Sequence, residues 1–133
     1  MTTSTDRCPC LSGETYGECC GPFHAGTATA PTAERLMRSR YSAYVLGNEP
    51  YLLSTWHSRT RPKSMDLDDE IRWIGLDIIG RTRGGMLDND GTVEYRAHFS
   101  VKGRRGDQHE NGRFVRENKH WFYLDASAPA TTA

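Results

Sequence analysis

Four cysteines fall between positions 8 and 20, as Cys8-x-Cys10 followed by the adjacent pair Cys19-Cys20, and the chain has no others. Nothing else in the sequence restricts the fold as tightly. Four soft ligands so close together can fold round one ion as a tetrahedral site, and zinc is the ion such thiolate sets hold. Gly13 and Gly17 give the intervening loop the backbone freedom a short closure needs. With Cys8, Cys10, Cys19 and Cys20 all ligating, no coordination position remains for a water. One structural Zn2+ is therefore the expectation, held in a binding element and not a catalytic one. The alternatives are less economical. Adjacent cysteines bridge each other only with ring strain. A redox role needs an exposed, acidic thiol, and the C-x-x-C spacing is missing. His24 can stand in as a fourth ligand, but Cys20 fits more simply and leaves His24 as a linker residue.

Around this cluster the chain divides by composition. Residues 1–7 read as a polar tail, 8–22 as the knuckle, 23–31 as a linker of small residues ending at Pro31, 32–126 as the main domain and 127–133 as a frayed end. Thr32 is a good N-cap for a helix to about Leu46, with Glu34 in its first turn and Gly47 as a left-handed stop. Leu36, Met37, Tyr41, Tyr44 and Val45 share one face of it. A second, short helix starts near Pro50 and carries Tyr51, Leu52, Leu53 and Trp56. Then the period changes. Ile71–Thr82 reads as a strand, with Ile74, Leu76 and Ile78 on one face. Thr92–Lys102 alternates Val93, Tyr95, Ala97, Phe99 and Val101 against polar residues. Gln108–Arg116 and His120–Asp125 predict two more strands with a turn at Glu117-Asn118-Lys119. Helices first and an antiparallel sheet after predict an α+β domain with helices on one sheet face.

The stretch Cys8-Pro9-Cys10-Leu11-Ser12-Gly13-Glu14-Thr15-Tyr16-Gly17-Glu18-Cys19-Cys20-Gly21 resembles the SEC-C motif in its four ligand positions and in Ser12, Gly13, Tyr16 and Gly21. Leu11 stands where that motif has glycine. If the position needs a positive φ, leucine costs about 1 kcal/mol there. Leu36–Tyr44, Thr55-Trp56-His57, Arg61-Pro62, His109-Glu110, Arg113-Phe114 and Trp121–Asp125 are similar to the YchJ-type bacterial family. The resemblance runs from about Cys8 to Asp125. It implies an N-terminal SEC-C zinc knuckle followed by a nuclear-transport-factor-2-like cone, in which helices cover a curved antiparallel sheet. It also implies a pocket between sheet and helices, and it allows a homodimer through the sheet.

Candidate pocket residues are Tyr41, Trp56, His57, His98, His109, Glu110, Trp121 and Tyr123, with His57, His98 and Asp125 as candidate acid–base groups. His109 and Glu110 are neighbours on a strand, so they point to opposite faces and form no dyad. Aromatic residues at these positions fill cores more often than they bind ligands. No nucleophile elbow, phosphate loop, metalloprotease helix or dinucleotide fingerprint is present. Enzymatic activity thus stays undecided, and the sequence tips toward a binding protein. The first reading is an adaptor whose knuckle meets a protein partner, which the SEC-C resemblance implies is on the ribosome or the secretion machinery, with a main domain that stays folded when zinc is removed. The second is a hydrolase or isomerase using the cone pocket. RNA binding is the third and is disfavoured by charge. The formal net charge is +0, and zinc on four thiolates would leave about −2. A polar start without an apolar core to it, and no apolar run near about 18 residues, predict a cytoplasmic protein without a membrane span.

Overall fold

The switch in period along the chain becomes a switch in structure. The computed structural model describes residues 3–65, 67 and 70–127. Its helices are α1 (Gly21–Ala25), α2 (Ala33–Leu46) and α3 (Glu49–Ser54). Its strands are β1 (Ile71–Arg83), β2 (Asp90–Val101), β3 (Arg104–Glu117) and β4 (His120–Ser127), in one antiparallel sheet of order β1-β2-β3-β4. The expected α+β order is observed.

Thr32 starts α2 by accepting the Arg35 amide on its side chain at 3.1 Å, and Gly47 ends it at φ 69°. Asn48 then caps α3 by accepting the Tyr51 amide. Trp56 lies beyond that helix and bridges Tyr123 of β4 as a short parallel extension of the sheet. The buried face of α2 packs across the inner sheet face, where Leu76, Val93, Tyr95, Ala97, Phe114 and Trp121 complete the core.

Besides Trp56, which lies outside the helix expected to carry it, and Val45, which is 37% exposed and not on the buried face of α2, three details depart from the sequence reading. In β1 the alternation breaks. The pairing passes from Trp73–Phe99 to Gly75–His98 and from Ile78–Tyr95 to Gly80–Glu94, so Ile74 and Ile79 are the extra residues of two bulges. Both end up exposed, while Trp73, Leu76 and Ile78 point inward. A bulge inserts one residue and flips the phase of everything beyond it. Second, β2 and β3 meet at a two-residue turn, Lys102-Gly103, with φ 51° and 82°. Residues 104–107 therefore belong to β3. The last hairpin turns the same way at Asn118 and Lys119, φ 53° and 68°, the geometry that matches the twist of the strands. Third, residues 3–7 are not loose. The Asp6 carbonyl accepts the Tyr16 amide at 2.8 Å, the Ser4 carbonyl accepts that of Gly17 at 3.0 Å, and Arg7 bridges Thr15. At the other end Ser127 completes β4, and residues 128–133 lie outside the described residues.

Candidate metal centre and cavity

The knuckle is built from tight backbone closures. The Cys8 amide donates to the Glu14 carbonyl at 2.9 Å, and the Leu11 amide to the Cys8 carbonyl at 3.0 Å. A single 3-10 turn, Tyr16–Glu18, then delivers Cys19 and Cys20. Gly21 is needed because a Cβ there would sit 2.7 Å from the Tyr16 carbonyl oxygen. Leu11 adopts φ 64°, so leucine occupies the left-handed region that glycine enters freely.

All four cysteine sulfurs are buried and lie within 4.8 Å of one another. Cys10 and Cys19 sulfurs are 3.6 Å apart, and those of Cys19 and Cys20 are 3.9 Å apart. These distances are far beyond the roughly 2.05 Å of a disulfide. They bracket the edge of about 3.8 Å expected for a tetrahedron with Zn–S bonds of about 2.3 Å. The residues present therefore fit a tetrahedral thiolate-bound ion.

The electrostatics favour a cation. Hydrogen bonds from Cys10 and Cys20 hold Cys8 far below the usual thiol range. The corresponding bonds to Cys10 and Cys8 drive Cys20 far above it, with burial adding to the shift. Burial pushes Cys19 up to about 11. One thiolate is thus held at the cost of its neighbours, and a dication is what lets all four ionise together. Hydroxyl groups surround the sulfurs. Ser12 lies 3.1 Å from the Cys19 sulfur, and Ser42, on α2, reaches Cys20 at 3.3 Å and Cys8 at 3.6 Å.

Ser42 belongs to the main domain, so the knuckle is docked. Two further ties support this. Arg38 on α2 donates to the Cys10 carbonyl at 3.0 Å while paired with Glu34. His24 is no ligand: one ring nitrogen lies 2.6 Å from the Tyr16 hydroxyl and the other 2.8 Å from the Ser39 carbonyl. Nor is it a plain linker residue, since it sits in α1 and ties the knuckle to α2. Phe23 and Ala30, within the expected linker, are buried. The sequence reading missed Ser39 and Ser42. Their signal was small polar residues on a helix whose neighbours are buried.

Beneath α2 lies a cavity of about 410 Å3. Tyr41, Trp56, Glu110 and Tyr123 line it as expected, together with Arg40, Tyr44, Trp73 and Tyr95. The other candidates lie elsewhere. Trp121 is buried in the core, outside this lining, and donates to the Pro31 carbonyl at 3.2 Å. In the ring of His57 one nitrogen accepts the Arg59 amide at 3.0 Å and the other donates to Glu117 at 2.9 Å. His98 pairs with Asp77 and His109 with Glu94, at 2.8 and 2.7 Å, on the outer face of the sheet. Asp125 is clamped by Arg113, whose hydrogen bonds hold its carboxyl below the usual range. No histidine therefore lines this cavity, and the three acid–base candidates do not converge. The residue overlooked was Arg40. Its signal was legible: it lies four residues from both Leu36 and Tyr44, on the apolar face of the helix.

With this geometry in place, likeness to known proteins is informative. Residues 32–126 match the profile of the YchJ middle NTF2-like domain, and residues 5–22 that of the SEC-C motif. A UPF0225 protein of Streptomyces coelicolor is 51% identical over 91% of this chain and 94% of its own length. One of Corynebacterium glutamicum is 49% identical over 88% and 93%. The solution structure of a SEC-C motif containing protein from Rhodopseudomonas palustris superposes with a TM-score of 0.81 at 32% identity, covering 98% of this chain and 100% of that one. The crystal structure of a SEC-C motif containing protein from Psychrobacter arcticus gives 0.73 at 27%, covering 100% and 85%.

Proposed function

Because the chain belongs to the YchJ (UPF0225) family, with a SEC-C motif ahead of an NTF2-like domain, we propose that it is a cytoplasmic zinc-binding adaptor whose knuckle engages a protein partner. The proposed ion is zinc, the dication that four thiolates favour, and Cys8, Cys10, Cys19 and Cys20 lie close enough together to hold it. The observation that carries the reading is the orientation of the knuckle. Its inner side is held against Arg38 and Ser42 of α2, while Leu11, Ser12, Gly13 and Glu14 stay exposed at its tip. Leu11 is 58% exposed and held at positive φ. An apolar side chain kept in a costly backbone conformation, pointing into water, has the features of a contact residue. Four protein ligands leave the ion no open position, which suits a scaffold for binding and not hydrolysis.

A different protein is a better partner than a second copy joined through the sheet. The outer sheet face carries the ion pairs Arg96–Asp107 and Arg113–Asp125 beside the hydrogen-bonded carboxylates Asp77 and Glu94, and desolvating these charges opposes burial. The partner class is the ribosome or a component of the secretion machinery. Co-sedimentation with purified ribosomes and affinity capture from lysate, with zinc-loaded and chelated protein, test it. Binding should require zinc and drop about tenfold in Leu11→Gly, which keeps the backbone and removes the side chain. Equal capture by the four-cysteine-to-serine variant would eliminate the adaptor role.

A further inference from the structure

Arg40 lies in the middle of α2 and is 3% exposed. A buried cation is ordinarily paired with a carboxylate, because the uncompensated charge is expensive. Among the described residues Arg40 has no carboxylate partner. Its neighbours are Tyr44, Tyr51, Tyr95 and Tyr123, and burial draws its pKa downward. Arginine nevertheless stays charged. One terminal nitrogen donates to the Leu52 carbonyl at 2.8 Å and to the Thr55 hydroxyl at 2.7 Å. The rings of Tyr123 and Trp56 lie 4.6 and 5.2 Å from the guanidinium carbon. These contacts fix the plane of the group.

The donor count does not close. A guanidinium has five N–H donors. Two are used on Leu52 and Thr55. The Tyr44 hydroxyl, the remaining hydrogen-bonding neighbour, can take one more. Among the described residues at least two are left, on a side chain that lines the cavity of about 410 Å3. Two free donors on one rigid, oriented fork match one carboxylate group. The other walls are Met37, Tyr41, Tyr44, Trp73 and Ala97, apolar bodies with few polar tips. Glu110 stands in the same lining and accepts from Tyr95 and Gln108. Its charge opposes a ligand that carries more than the one negative group Arg40 neutralises, and it welcomes a donor on the ligand's body. The volume is within the range of small-molecule sites.

From this we propose that the cavity is a binding site for a small carboxylic acid with an aromatic or apolar body, anchored by Arg40 and oriented by Glu110. A phosphate dianion fits less well, since one guanidinium meets it and Glu110 opposes it. This inference is independent of the knuckle's partner.

The test uses the zinc-loaded full-length protein, with indole-3-acetate and phenylacetate as probes and their neutral amides as controls. The signals followed are the indole N–H resonances of Trp56 and Trp73. The acids should shift both saturably, with the amides at least tenfold weaker. Arg40→Gln should erase the difference between acid and amide. Should that variant fail to fold, the acid–amide comparison on the parent protein decides the matter alone. Equal binding of acid and amide, or no shift with either acid at 10 mM, would overturn the proposal. So would inorganic phosphate displacing indole-3-acetate as readily as a second carboxylate does.

Discussion

At residue scale, position 11 shows side-chain identity and backbone demand pulling apart. The turn after Cys10 needs φ 64°, and leucine accepts it at a cost of about 1 kcal/mol. Leu11→Gly should therefore stabilise the knuckle by about 1 kcal/mol, raising the melting temperature of the zinc-loaded protein by roughly 3–6 °C. A calorimetric scan measures it. An unchanged or lower melting temperature would mean that the leucine side chain contributes packing that offsets its backbone strain. The same variant should bind its partner less well, so stability and binding move in opposite directions, which separates a contact residue from a folding residue.

At the scale of elements, α2 is the piece that everything else is fastened to. Its Glu34 sits between Arg38, which also holds the Cys10 carbonyl, and Arg81 of β1. Burial would raise the Glu34 carboxyl, but the hydrogen bonds from Arg38 and Arg81 win and hold it below its ordinary value of 4.5. A carboxyl lowered on folding contributes stability that is fully present above that ordinary value and is lost as pH falls through the folded one. Glu34→Gln should accordingly cost about 1 kcal/mol at pH 6 and progressively less below pH 4.5. Urea midpoints between pH 3 and 6 record this, and a constant penalty across that range would exclude the linkage. The two bulges in β1 belong to this scale as well. They place Trp73 against Tyr41 and Tyr44, at ring distances of 6.2 and 5.9 Å, and so set one wall of the cavity.

For the molecule as a whole, the knuckle and the cone share one core. The four cysteines belong to the same buried cluster as Leu36, Met37, Tyr41 and Trp121. A main domain that ignores zinc, as expected for a free appendage, does not agree with that packing. Removing the metal should destabilise the entire chain by roughly 3 kcal/mol or more, about 10 °C, in a single transition. Circular dichroism melts with and without chelator read it out. Two separate transitions, with the main one unmoved, would return the knuckle to the status of an appendage.

Much of this was open to reading from the chain. The Cys8–Cys20 spacing specifies a metal-sized cluster because ligand softness and loop length are local properties. The caps at Thr32 and Gly47, a helix start near Pro50 and the alternation through Val93, Tyr95 and Ala97 are local in the same sense, and each is found there, the helix beginning one residue earlier at Glu49. What the chain does not spell out depends on distant partners. The phase of β1 past Ile74 is set by its pairing with β2, not by its own alternation. His57, His98 and Asp125 looked reactive because their residue types are, yet each is hydrogen-bonded to a partner that only folding brings near, Glu117, Asp77 and Arg113. The spacing of Arg40 from Leu36 and Tyr44 puts it on the apolar face of α2, but does not say what surrounds it there. Tertiary packing buries it under Trp56 and Tyr123 without a described carboxylate. Sequence determines which groups are available and how each short segment curves. Burial and pairing are properties of contacts between segments far apart in the chain, and only the packed structure decides them.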